Sequence, residues 1–255
     1  MKTHSFIDTH CHLDFERMGD VNQIIADSAL VGVNRFIVPS VDHKNWQDVL
    51  TLSNTHSSID CALGIHPYFI GDNNYLDELE ILATDNRDKI VAIGEIGLDG
   101  SLDCPMSVQL EILIPQLALA KSLELPVICH AHKAYDLLLK QLRLFKLSRG
   151  GVIHGFSGSL VQAKEFLKLG FYLGVGGVIT YERAQKTRNV FSQLPLESLL
   201  LETDSPDMPL SGHQGLVNHP RNIPLIAQKL CLLQQQSIEN VIDITNKNVR
   251  NLFNI

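Results

Sequence analysis

Eight times along this chain a short apolar run rich in β-branched residues gives way to a longer segment with helical periodicity. The runs fall at 6–9, 35–39, 60–65, 90–96, 126–129, 151–155, 171–175 and 199–202. The helical segments follow at 21–30, 46–56, 76–85, 107–123, 134–145, 160–169, 182–193 and 223–235, and a last helix over 238–253 closes the chain. Strands and helices alternating at this spacing predict parallel βαβ units. Eight such units predict a (β/α)8 TIM barrel, one domain over residues 1–255, which is an ordinary size for that architecture. The alternative is an open doubly wound sheet. Such a sheet would carry a glycine-rich phosphate loop after its first strand, where this chain has a histidine pair.

One helix start is especially legible. Ser159-Leu-Val-Gln162 is a capping-box pattern and Gly170 is a C-cap, which predicts that the sixth strand ends at His154-Gly155-Phe156. Ser157-Gly158-Ser159 then lies at a helix N-terminus, a place that can receive an anion, with Ser159 itself read as the cap.

Composition narrows the function classes. A net charge of −7 argues against a protein that coats duplex DNA. It leaves room for an enzyme that meets phosphate through divalent cations, because an ion's own charge dominates its site. The five cysteines are irregularly spaced with no Cys-x-x-Cys, which predicts reduced thiols rather than a disulfide frame or thiolate zinc site. No apolar run approaches the roughly 20 residues that span a bilayer. The first residues hold one Lys and then polar side chains, so no signal peptide, no membrane partner and a cytoplasmic location are expected.

The chemistry sits at the strand ends. The first strand ends in His10-Cys11-His12, and because alternate strand side chains share a side, His10 and His12 project together with Cys11 turned into the packing. Later strand ends supply His66, Glu95, His130 with His132, His154 and Asp204. Six of the eleven histidines therefore fall on the face where barrel enzymes keep their sites. Imidazoles and carboxylates together suit hard or borderline divalent ions. The set is large enough for two ions with a shared ligand, and a pair about 3.5–4 Å apart activates water and clamps both oxygens of a phosphoryl displacement. The ions' identity (Zn, Mn, Mg, Co or Ni) is not set by such ligands. His66 reads either as a catalytic group or as a packed strand-end histidine. His132 is expected to begin the next helix. Asp8 and Asp99 are candidates to orient histidines, Asp99 equally a turn cap. Cys129 reads as core, and His4, His43 and His56 as solvated.

The order of the short motifs carries a resemblance. Phe-Ile-Asp-Thr-His-Cys-His-Leu-Asp is followed by Gly-Ile-His-Pro, Gly-Glu-Ile-Gly-Leu-Asp, and Leu-Pro-Val before His130. His154-Gly-Phe-Ser-Gly, Gly-Val-Gly-Gly and Leu-Glu-Thr-Asp-Ser-Pro complete the series. Together they resemble the TatD family of metal-dependent deoxyribonucleases, a branch of the amidohydrolase-like barrels. The resemblance implies that His10, His12 and Asp204 hold one metal, that His130 and His154 hold the other, and that Glu95 bridges them. It implies Asp204, His66 and Glu95 as catalytic residues, His66 lying near the scissile phosphate. It also implies hydrolysis of nucleic-acid phosphodiesters, often from the 3′ end, with single-stranded DNA or RNA as the partner. Two positions depart from the family pattern: Gly100 stands where an aromatic residue is common, and His132 where Arg is common.

Two other functions compete. One is hydrolysis of a small ester, amide, lactone or phosphotriester on a related barrel. Those sites often bridge their metals with a carbamylated Lys on strand four, whereas here that strand ends in Glu95 and Lys89 precedes it. The other is a barrel that binds metal or a partner without catalysis.

Overall fold

The computed structural model describes residues 5–71 and 75–255. His4 lies outside the described residues. The strands are β1 (Phe6–Asp8), β2 (Val33–Pro39), β3 (Ile59–Leu63), β4 (Ile90–Asp99), β5 (Val127–His132), β6 (Gly151–Ile153), β7 (Phe171–Val175) and β8 (Leu199–Leu201). They form one parallel sheet in sequence order. The helices are α1 (Val21–Ala29), α2 (Trp46–Thr55), α3 (Leu76–Asp85), α4 (Met106–Ser122), α5 (Tyr135–Phe145), α6 (Leu160–Lys168), α7 (Gln185–Phe191), α8 (Ile223–Gln234) and α9 (Ile238–Phe253). This is the (β/α)8 barrel that the alternation predicts. No helix among the described residues is long and apolar enough to cross a membrane.

Strand alternation sorts the side chains into two cores. Phe36, Val38, Cys61, Leu63, Val127, Cys129, Leu199 and Leu201 face the helices. Ile7, Ile37, Ala62, Ala92, Ile128, Val152 and Leu200 form a separate cluster inside the barrel. Val249, Leu252 and Phe253 of α9 join that inner cluster, so the last helix seals one end of the barrel. Asn246 and Asn248 tie α9 in place by donating to the carbonyls of Ser5, Leu196 and Leu199. Cys11 is fully buried in the outer core, as its strand parity predicts.

The polar residues of interest stand one inward step above the apolar layer. Ile128 is followed inward by His130, Val152 by His154, and Leu200 by Glu202. The site is thus a polar storey built on an apolar floor.

The barrel closes between β1 and β8 through a side chain. The Thr9 N–H donates to the Leu201 carbonyl at 3.0 Å, and the His12 N–H to that of Ser205 at 2.7 Å. Between those contacts the Asp8 carboxylate accepts the Thr203 N–H at 3.0 Å and the Thr203 hydroxyl at 2.6 Å. Its Oδ1 also takes the His10 N–H at 3.3 Å. Burial pushes the Asp8 carboxyl up to about 7 against these donors. Asp8 therefore holds backbone rather than orienting an imidazole.

Several boundaries differ from the sequence reading. β4 runs on to Asp99 and β5 to His132, because Gly97, Leu98 and Asp99 pair with His130, Ala131 and His132 after an irregularity near Glu95. His132 is accordingly the last residue of β5, not the first turn of a helix. α7 is shorter than expected, spanning Gln185–Phe191. α6 starts at the predicted capping box, with both reciprocal bonds of Ser159 and Gln162 formed. His43 is not simply solvated: its ring stacks on Tyr75 at 3.7 Å.

Asp8→Ala removes the acceptor for three buried donor bonds at the closing seam. It is expected to lower unfolding stability by about 1–3 kcal/mol. The check is the midpoint of urea unfolding, and an unchanged midpoint would remove Asp8 from the seam.

Candidate metal centre

Glu95 lies at the middle of the site, only 3% exposed. Its two carboxylate oxygens face different groups of imidazoles. Oε2 is 3.2 Å from His10 Nε2 and 3.6 Å from His12 Nε2. Oε1 is 2.8 Å from His154 Nε2, 3.4 Å from His66 Nε2 and 3.6 Å from His130 Nδ1. Asp204 joins the first group, its Oδ1 lying 3.5 Å from His10 Nε2 and 3.6 Å from His12 Nε2. The His10 and His154 rings stack at 4.0 Å, which binds the two groups into one cluster. All seven sequence-predicted site side chains (His10, His12, His66, Glu95, His130, His154 and Asp204) thus meet at one end of the barrel.

The bond at the far side of each ring decides what its near nitrogen can do. His12 Nδ1 lies 3.2 Å from the Pro39 carbonyl, an acceptor, so Nδ1 carries the proton and Nε2 offers a lone pair. His130 Nε2 lies 2.9 Å from Asp99 Oδ2, so Nε2 donates and Nδ1 offers the lone pair. His66 is the reverse case. Its Nδ1 accepts the Tyr68 N–H at 3.0 Å, so in the neutral ring the proton sits on Nε2, the nitrogen facing Glu95. His66 is close enough to Glu95 and His130 to complete a ligand group, but this bond makes it a hydrogen-bond donor there.

Asp99 also accepts from Ser101, through its N–H at 2.8 Å and its hydroxyl at 2.6 Å, and lies 3.2 Å from His132 Nδ1. It is at once a turn cap and the orienting partner of His130. Burial works against its charge, but the Ser101 and His130 donors hold its carboxyl well below the usual range.

Glu202 was given no role in the sequence reading. It is 1% exposed, its Oε1 accepts the Gly155 N–H at 2.5 Å, and that oxygen lies 3.8 Å from His154 Nδ1. A Cβ at Gly174 would come within 2.2 Å of its Oε2, so the glycine in Gly-Val-Gly-Gly makes room for this carboxylate. The available signal was a charged residue at an inward position just after the apolar β8.

The charges are strongly coupled. Burial opposes the charge on His154, but Glu95, Asp204 and Glu202 outweigh it and raise its pKa to about 10. Burial likewise opposes the charge on His12, and Asp204 and Glu95 raise it to about 9. Burial and the neighbouring His154 charge lower His10 to about 4, and burial lowers His66 to about 3. Burial alone would raise Glu95, but the surrounding histidines hold it well below its ordinary value.

This donor set suits divalent ions. His10, His12 and Glu95 form one possible ligand group, and His10, His154 and Asp204 another. The Nε2 atoms of His10 and His12 are 3.3 Å apart, and His130 Nδ1 is 3.2 Å from His154 Nε2. Two lone pairs at such distances repel unless a proton or a cation lies between them. His10 Nδ1 and His154 Nδ1 are buried without a hydrogen-bond partner among the described residues, so protein contacts alone leave these rings incompletely satisfied.

The family model of TatD related DNases matches residues 7–254. The chain belongs to the TatD family. It is 43% identical over 254 residues to the metal-dependent hydrolase YjjV of Escherichia coli K12, covering 98% of each chain. The crystal structure of that TatD homolog superposes with a TM-score of 0.94 at 44% identity, again covering 98% of each. The metal-dependent hydrolase YabD of Bacillus subtilis is 32% identical, with 97% of this chain and 98% of the relative covered. An organophosphorus hydrolase of Deinococcus radiodurans, at 13% identity and a TM-score of 0.66, shares the barrel, with 99% of this chain and 93% of that one covered. The TatD chain described here is a metal-dependent hydrolase.

Ligating imidazoles must be deprotonated, so His12 and His154, both raised above neutrality, must lose protons when metal enters. Titrating metal-free protein with Zn at pH 7 is expected to release roughly two protons per molecule. Calorimetry in buffers of different ionisation enthalpy measures this, and metal uptake without proton release would contradict the charged state of these rings.

Proposed function

We propose that this chain is a two-metal phosphodiesterase that removes nucleotides from the ends of single-stranded DNA, with RNA as the nearest alternative substrate. The observation that carries the reading is Glu95, whose two oxygens face two separate groups of ring nitrogens. In this reading His10, His12 and Asp204 hold one ion, His130 and His154 hold the other, and Glu95 bridges them. The bound ions supply a nucleophilic water at neutral pH and neutralise the charge of the reacting phosphate.

The chain's own residues supply the rest. The histidines around Asp204 overcome its burial and lower its pKa, so its carboxylate is ionised and can accept a proton from the attacking water. His66, held with its proton on Nε2 by the Tyr68 N–H, can donate a hydrogen bond to a phosphate oxygen. The cavity above the cluster has a volume of about 660 Å³, and Tyr68 and Phe69 line its rim, 67% and 39% exposed. Exposed aromatic faces of this kind stack on unpaired bases without regard to sequence. The acidic chain offers no long basic track for duplex DNA, and a barrel mouth admits a strand end more readily than a stiff duplex. The competing amide or phosphotriester reading lacks its usual bridge: Lys89 lines a cavity with Phe253 and Ile255, at the end of the barrel that α9 seals.

Glu95→Gln should weaken metal binding at both sites, whereas His154→Ala should mainly weaken one. Full occupancy of the Glu95→Gln protein, measured by elemental analysis, would remove Glu95 from the bridging position. His66→Ala should lower turnover by roughly 10²–10⁴-fold with metal content unchanged. Unchanged turnover would return His66 to a packing role.

Substrate form has its own test. A 5′-labelled single-stranded oligonucleotide should shorten stepwise from its 3′ end, a circular single strand should stay whole, and chelation should stop the reaction. Rapid nicking of the circle would contradict attack at ends.

A further inference from the structure

We propose that a second cavity beside the metal centre is a subsite for the phosphate of the nucleotide adjoining the scissile bond, an inference that rests on the phosphodiesterase reading above. This cavity has a volume of about 560 Å³ and shares two wall residues, His132 and Ser157, with the central one. It lies within the roughly 300–1,000 Å³ range of small-ligand sites. A strand bound at the metals can therefore continue past His132 and Ser157 without leaving the protein.

The chemistry of the walls fits a phosphodiester. Lys133 and Lys186 bring two ammonium groups. The one acid in the wall, Asp136, already accepts a hydrogen bond from Gln162 at 3.0 Å. The hydroxyl groups are built into the fold. Tyr135 is only 8% exposed, and its phenolic oxygen accepts the Ser157 N–H at 3.0 Å. The Tyr135 and Ser157 hydroxyls lie 3.1 Å apart. They carry one proton each and share a single bond, so one hydroxyl proton is left over whichever group donates. No other hydrogen-bond partner is present for either among the described residues, and an anion in the cavity would receive that proton.

The same corner explains both departures from the family pattern. A Cβ at Gly100 would come within 2.9 Å of the Lys133 carbonyl oxygen and 3.3 Å of its Cβ. The Gly100 N–H donates to the His132 carbonyl at 2.7 Å, which holds the two strand ends together. Lys133 stands there in the left-handed region, with φ of 51°. A larger residue at position 100 would displace Lys133. His132, turned onto Asp99 and Ser101, does not reach out as an Arg would. The corner thus gives up a stacking face and a phosphate clamp over the central cavity and presents a lysine to the next one.

The test compares two substrates on the metal-loaded enzyme: a 5′-labelled single-stranded oligonucleotide, and bis(p-nitrophenyl) phosphate, which has no second phosphate. In the double variant Lys133→Ala/Lys186→Ala, KM for the oligonucleotide should rise roughly tenfold. The slope of log(kcat/KM) against log salt should become shallower by about 1.4, since each lost contact to a single strand removes about 0.7. Turnover of the small diester should be retained, and Lys133→Arg/Lys186→Arg should restore the oligonucleotide KM. An unchanged oligonucleotide KM and salt slope, or an equal loss on both substrates, would overturn the subsite. A wild-type enzyme that cleaves the small diester but leaves the oligonucleotide whole would overturn the subsite and spare phosphodiester chemistry. Failure on both substrates would overturn the two readings together.

Discussion

A carboxylate buried at the centre of a barrel is the constraint to which the rest of this molecule answers. An ionised group in that position is expensive unless other groups neutralise it and satisfy its lone pairs. Glu95 is surrounded by five imidazoles drawn from four other segments of the chain: the β1 end, the β3 end, β5 and the β6 end. None of these contacts is local in sequence. The site therefore forms only when the barrel is assembled, and the barrel's polar storey is stable only when these groups meet. A divalent ion on each side of Glu95 would replace mutual repulsion among the rings with shared attraction to a cation.

The architecture was legible because periodicity reports which face is buried. Strand parity turned Cys11 and Cys129 into the outer core and brought His10 and His12 together. Position at strand ends brought in the remaining site residues, although far apart in sequence. Less visible was anything that depends on a long-range partner. β4 and β5 look short in sequence because Glu95, His130 and His132 interrupt the apolar pattern, yet their backbones stay paired. The closing of β1 on β8 uses the Asp8 side chain where a run of apolar residues would have announced a strand. Glu202 sits in the middle of a quoted motif, but its burial against Gly174 depends on a neighbouring strand.

The difference between His66 and the other imidazoles was equally out of reach. Sequence shows six similar residues at strand ends. What separates a lone-pair donor from a proton donor is the atom behind each ring: the Pro39 carbonyl for His12, the Asp99 carboxylate for His130, and the Tyr68 N–H for His66. Proline after His66 helps to set this, because the chain turns at once into a single helical turn and aims the Tyr68 N–H back at the ring.

The seal made by α9 has a consequence for traffic through the enzyme. Val249, Leu252 and Phe253 fill the far end of the barrel, so nothing that enters the mouth can leave by the other side. A polymer cannot be threaded through such a vessel. Whatever is cut off and whatever remains must share one doorway, and each excised piece has to clear it before the chain can advance. In a blind-ended barrel, emptying the mouth is part of every cycle.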